Sequence, residues 1–128
     1  MKIEVSIGEV FDKISILEIK LEQIKDPIKL EYIEKELASI YQDLHDHEIE
    51  IPTHLKANLR EANWQLWQAE DILRELGGKG DYGPEFLHYA ILDATINDQR
   101  FVIKNQINEL CDSSIKEQKS YEDLYTAN

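Results

Sequence analysis

Asn63-Trp64-Gln65-Leu66-Trp67-Gln68-Ala69-Glu70-Asp71-Ile72-Leu73-Arg74 is the most informative stretch of this chain. At 100° per residue, Leu66, Ala69 and Leu73 fall on one helical stripe with Leu55, Leu59 and Leu76. Along the same flank lie Asn63, Trp67, Glu70 and Arg74, with Asp71 and Trp64 just beyond. A helix that only walls a bundle needs the first stripe and not the second. The stretch reads as a core face beside a polar-aromatic face suited to a site. It names no reaction.

On either side the pattern extends into a helix from about Thr53 to Leu76. It stops at the run Gly77-Gly78-Lys79-Gly80-Asp81-Tyr82-Gly83. Pro84 suits the first position of a following helix, expected to reach about Cys111. One face of that helix carries Leu87, Ala90, Ile91, Ala94, Phe101 and Val102, interrupted by Asn97, Asp98 and Asn108. A second apolar face holds Tyr89, Leu92, Ile96, Ile103, Ile107 and Leu110. Two apolar faces predict burial on two sides, either centrally or at a subunit contact.

Toward the amino terminus, residues 2–5 alternate and suit a short extended lead-in. Ser6 and Glu9 then have the spacing of a capping box, with Val5 and Val10 as a hydrophobic staple, so a helix is expected from Ile7 to about Lys25. Its core stripe is Val10, Ile14, Leu17, Leu21 and Ile24. A second face mixes Glu9, Asp12, Lys13, Ile16, Ile19 and Lys20, which a plain solvent face does not explain. Asp26-Pro27 is a helix-start pair. The helix it opens, to about Leu44, has one stripe of Leu30, Ile33, Leu37, Ile40, Tyr41 and Leu44, and belongs at the bundle's edge. Ser114 and Glu117 repeat the capping spacing and predict one more short helix. The expected fold is all-α: an antiparallel four-helix bundle of two helical hairpins, with a short extended start and a C-terminal segment.

The 128 residues suit a single domain spanning 1–128. Fourteen basic against 26 acidic residues leave a net charge of −12, a field that repels phosphate backbones and argues against nucleic-acid binding. A local basic pocket for a small anion remains compatible with it. One cysteine, Cys111, fits a reducing compartment, and no apolar run approaches the length of a membrane span. MKIEVSIGEV does not resemble a signal peptide, so a cytoplasmic location without membrane attachment is expected.

Four blocks resemble an uncharacterised family of bacteria and their phages. They are Ser6-x-Gly8-Glu9-Val10-x-Asp12-Lys13-x-Ser15-Ile16-Leu17-Glu18-Ile19-Lys20, Asn63-x-x-Leu66-Trp67-x-x-Glu70-Asp71-x-Leu73-Arg74, Asn97-Asp98-x-Arg100-x-x-Ile103-Lys104-x-x-Ile107-Asn108 and Glu117-x-Lys119-Ser120-Tyr121. The resemblance implies no established activity. Some relatives are associated with glycosyltransferase and surface-polysaccharide functions, which points toward sugar-nucleotide or glycan chemistry by association alone. Helix 2 and the 45–52 connection lie outside the blocks, in keeping with a place away from any site.

The expected site lies where the second faces of helices 1, 3 and 4 meet. It gathers Asp12, Lys13, Lys20, Asn63, Trp67, Glu70, Asp71, Arg74, Asn97, Asp98, Arg100 and Lys104, with Glu9 beside them and Lys119 and Tyr121 as a lid. Charges of both signs beside an aromatic wall suit a small anionic ligand such as a nucleotide or nucleotide sugar. Arg74 and Arg100 are the natural anion forks, and Trp67 offers a stacking face. The same residues also suit a structural ion-pair network in a homodimeric or adaptor bundle. A further alternative has Glu9, Asp12, Glu70, Asp71 and Asp98 converge on Mg²⁺. That logic resembles the all-α nucleotide pyrophosphohydrolases, although their repeated Glu-rich signature is absent.

Asp98, set among Ala94, Phe101 and Val102, is expected to find a cationic partner in Lys13, Lys20 or Arg74. His45 and His47 read as a solvated loop rather than a metal site. His54 and His88 have no constellation around them, and Cys111 reads as a packed thiol. The Gly77–Gly83 run lacks the Lys-Ser/Thr of a phosphate-binding loop.

Overall fold

The computed structural model describes residues 1–112. Four helices make up the fold: α1 (Ile7–Gln23), α2 (Pro27–Asp46), α3 (Thr53–Gly78) and α4 (Pro84–Leu110), with no strand among the described residues. Their ends have local causes. The Ser6 hydroxyl accepts the Glu9 N–H at 3.2 Å, and Asp26 Oδ1 accepts the Ile28 N–H at 3.0 Å. Past α3 the chain turns through Gly80 at φ 70°, and the Asp81 N–H returns to the Leu76 carbonyl at 2.9 Å. Pro84 opens α4, where its missing N–H costs nothing.

The packing is lopsided. α3 and α4, of 26 and 27 residues, form a long antiparallel hairpin about 40 Å in length. α1 packs against all three other helices, whereas α2 packs against α1 alone. α2 buries only Ile33 and Leu44, as its single apolar stripe predicts for an edge helix. The main core joins Phe11 and Ile14 of α1 to Leu44, Ile51, Leu55, Leu59 and Ile107. A smaller cluster of Ala62, Leu66 and Ile96 continues it along the hairpin. Each such Leu, Ile or Phe side chain contributes about 1.5–3 kcal/mol of transfer free energy.

Of the two apolar faces of α4, the chain buries Ile96 and Ile107 from one and Phe101 from the other. Leu87, Ile91 and Val102 are 59%, 59% and 52% exposed, so this stripe is not buried centrally, and a subunit contact is the expectation left for it. Phe11, outside the expected stripe of α1, is buried, because this helix has neighbours on several sides. The short helix expected from Ser114 lies outside the described residues. No described helix is long and apolar enough to cross a membrane.

Candidate functional site

Along α4, Asp93, Asn97, Arg100, Lys104 and Asn108 recur every three or four residues and form one polar stripe. α1 and α3 meet this stripe, and most of its members take a partner from them. Asn108, fully buried, accepts the Gly8 N–H on its Oδ1 at 2.7 Å. That bond satisfies an amide in the first turn of α1, which has no partner within its own helix. A Cβ on Gly8 would collide with the Lys104 carbonyl oxygen, so glycine permits the approach of α1 to α4.

One turn on, the buried Lys104 ammonium donates to Glu9 Oε2 at 3.1 Å. The Glu9 carboxylate therefore serves α4, while Ser6 supplies the capping bond to the Glu9 N–H.

The centre of the seam is a junction of three helices. Asn63 Nδ2 on α3 donates to Asp12 Oδ1 and to Ser15 Oγ, both at 2.9 Å and both on α1. Asn63 Oδ1 accepts from Arg100 Nη1 of α4 at 3.2 Å, and Arg100 Nε stands 3.8 Å from Asp12 Oδ1. Asp12, Ser15 and Asn63 are all buried. A carboxylate in that setting is tolerable because an amide and a guanidinium share its field. Gly8, Asp12, Ser15 and Ile19 lie on one face of α1 and are all buried. This is why its second face is not a solvent face.

Farther along the hairpin, the exposed Glu70 of α3 comes beside the half-buried Asp93 of α4. Partial burial and then the Asp93 carboxylate push Glu70 above the usual carboxylate range, with Arg100 and Arg74 pulling the other way. Asn97 donates to Asp93 Oδ2 at 3.3 Å and to the Asp93 carbonyl at 3.1 Å. The expected meeting of helices 1, 3 and 4 thus brings together Asp12, Asn63 and Arg100, with Lys104 on one side and Glu70 and Asn97 on the other.

Other expected members go elsewhere. Asp71 and Arg74 pair with each other at 2.9 Å on the exposed flank of α3. Lys13 pairs with Glu36 of α2 at 2.7 Å. Trp67 and Asp98 are half-buried. Lys119 and Tyr121 lie outside the described residues. Glu9, Asp12, Glu70, Asp71 and Asp98 do not converge, and no group of three or more His, Cys, Asp or Glu among the described residues could hold a metal ion. Ser15, Asn108 and Asp93 were not expected in the site. The three-and-four spacing of Asp93 to Asn97 and Arg100 is the signal that would have found the last.

α2, which the sequence places away from any site, helps to line a cavity. A groove of about 1050 Å³ runs between α1 and α2 and is closed at one end by the amino-terminal segment. Ile3, Val5, Ile7, Val10, Ile16, Leu17, Ile40, Leu44 and Ile49 supply its apolar lining. Lys2, Lys13, Lys20, Glu9, Asp12, Glu36, Asp43 and His47 supply its polar groups. Asp12 belongs to both features, since it lines the groove and also holds the three-helix junction.

Residues 1–127 match the model of a family described as a family of unknown function, DUF6165. No curated protein and no solved structure matches the chain.

Proposed function

The chain belongs to the DUF6165 family, which brings no activity with it, and we propose from geometry that it binds a small anionic molecule in the α1–α2 groove. The observation that carries this reading is the destination of α1's mixed face. Lys13, Ile16 and Lys20 line an open groove of about 1050 Å³ shared with α2. That volume is the size of ordinary small-molecule sites, which are apolar with a few convergent polar groups. Lys13 and Lys20 both line the groove and bring two ammonium groups to it. The Asp12–Asn63–Arg100 junction stands behind the groove as a supporting wall, and Arg100 is occupied by protein acceptors. A nucleotide or nucleotide sugar has the required combination of negative charge and a less polar body.

The test is a thermal-shift screen of nucleotides and nucleotide sugars, with and without Mg²⁺, on the wild type, Lys20→Ala and Arg74→Ala. Binding in the groove raises the Tm of the wild type and of Arg74→Ala, and Lys20→Ala loses most of the gain. No shift with any probe, or a shift indifferent to Lys20→Ala, overturns the reading. A shift seen only with Mg²⁺ would mean that the probe binds as its magnesium complex.

A self-associating bundle is the second reading. Leu87, Ile91 and Val102, exposed along the outer stripe of α4, favour it. A mass measurement in solution decides it: a dimer that Leu87→Lys and Ile91→Lys dissociate supports it, and a monomer at high concentration removes it.

A further inference from the structure

Glu70 and Asp93 face each other across the α3–α4 seam, where two ionised carboxylates would repel. Asp93 Oδ1 is buried and receives no donor from the described residues, while Asn97 reaches only the other oxygen. A buried carboxylate oxygen without a donor is costly. A proton on Glu70 resolves both difficulties, because a carboxylic acid donates where a carboxylate only accepts.

We propose that Glu70 and Asp93 share one proton, and that its loss as the pH rises loosens the end of the α3–α4 hairpin bearing the Gly77–Gly83 turn.

The location makes the pair consequential. The polar links of α1 described above meet α4 at Asn108, Lys104 and Arg100. Beyond them, toward the turn, the hairpin relies on half-buried side chains such as Leu73, Leu76, Phe86 and Leu92. Glu70 and Asp93 stand where that less supported end begins. Three charged groups modulate the pair: Arg74 on α3, Arg100 on α4 and, through its attachment to Arg100, Asp12 on α1. Both arginines favour ionisation, and Arg100 is held back by Asn63 and Asp12.

The shift of Glu70 is upward in the folded protein. Its contribution to stability is therefore complete below the unfolded-state value and is lost as pH rises through the folded-state value. Glu70→Gln fixes the protonated arrangement at every pH, because the amide donates in place of the acid.

The experiment follows the Tm of the wild type, Glu70→Gln and Asp93→Asn from pH 4.5 to 8, with ¹³C NMR titration of the Glu70 carboxyl. At pH 8, Glu70→Gln is expected to melt roughly 2–5 °C above the wild type, and the gap closes as the pH falls toward 4.5. In Asp93→Asn the Glu70 titration moves down toward its ordinary value. Faster amide exchange in residues 73–90 of the wild type at pH 8, absent in Glu70→Gln, would show that the loosening is local. A gap independent of pH, or a Glu70 titration unchanged by Asp93→Asn, overturns the proposal. So does a gap at pH 8 that millimolar Ca²⁺ or Mg²⁺ closes, since a cation and not a proton would then join the two carboxylates.

Discussion

Gly8 and Asn108 are a hundred residues apart in the chain, yet the glycine N–H reaches the asparagine Oδ1 at 2.7 Å with no room for a methyl group between the helices. Gly8→Ala should therefore destabilise the protein although alanine is the better helix former. Moving α1 away from the Lys104 carbonyl costs about 1–3 kcal/mol as overpacking, well above the gain in helix propensity. Urea denaturation measures it. A stability equal to or above the wild type's would show that α1 can shift without loss.

Asn63 holds three partners on two other helices. Asn63→Ala leaves Asp12, Ser15 and Arg100 short of hydrogen bonds in a buried place, at a cost of roughly 3 kcal/mol. Gln65→Ala removes only a bond to the exposed Glu61 on the same helix and should stay within about 0.5 kcal/mol of the wild type. Equal effects would mean that the junction adds nothing beyond its shape.

For Glu9 and Lys104 the two partners should respond differently. Lys104 is the buried member, while the Glu9 side chain is 46% exposed. Glu9→Gln leaves the buried ammonium beside a weaker acceptor and should cost about 1–3 kcal/mol. Replacing both, with Glu9→Gln and Lys104→Met together, should recover most of that loss, because the desolvated charge is gone. Calorimetry of the single and double variants checks the order.

Cys111 tests burial through chemistry. Packing against the core pushes its thiol above the ordinary value, so less thiolate is present at pH 8 than in an unhindered cysteine. Iodoacetamide should modify it several-fold more slowly than the same residue in urea. Equal rates would mean that the thiol is neither shielded nor shifted.

Periodicity and capping chemistry were enough to read four helices. Ser6 and Asp26 place two starts, Pro84 a third, and the glycine run after Leu76 the end of α3. The meeting of Asp12, Asn63 and Arg100 was also legible, because polar residues beside a core stripe have to face another helix. Ser15 and Asp93 were not. A serine in mid-helix and a carboxylate near an apolar stripe look like surface residues until a facing helix supplies Asn63 or Glu70. The outer stripe of α4 is a different case: Leu87 and Ile91 have the spacing of a core, and spacing alone does not separate a core from a subunit contact. The groove depended on α2's distance from α1, which no local pattern records.

α1 comes early in the chain, yet its anchors on α4 come at its far end. A ribosome adding about 5–20 residues per second needs roughly 5–20 s to travel from Gly8 to Asn108. Early in that interval the small polar face of α1 has no partner; Asn63 of α3 then reaches Asp12 and Ser15, and the bonds to Arg100, Lys104 and Asn108 come last. The hairpin of α3 and α4 needs no earlier segment and can begin to zip from the Gly77–Gly83 turn as it emerges. Synthesis therefore runs against assembly: the first helix made is the last to be secured, and a nascent chain stalled before Arg100 would hold α1 exposed to chaperones and proteases. Arrest sequences placed before and after Asn108, with protease added to the stalled complexes, would show α1 becoming protected only in the longer one.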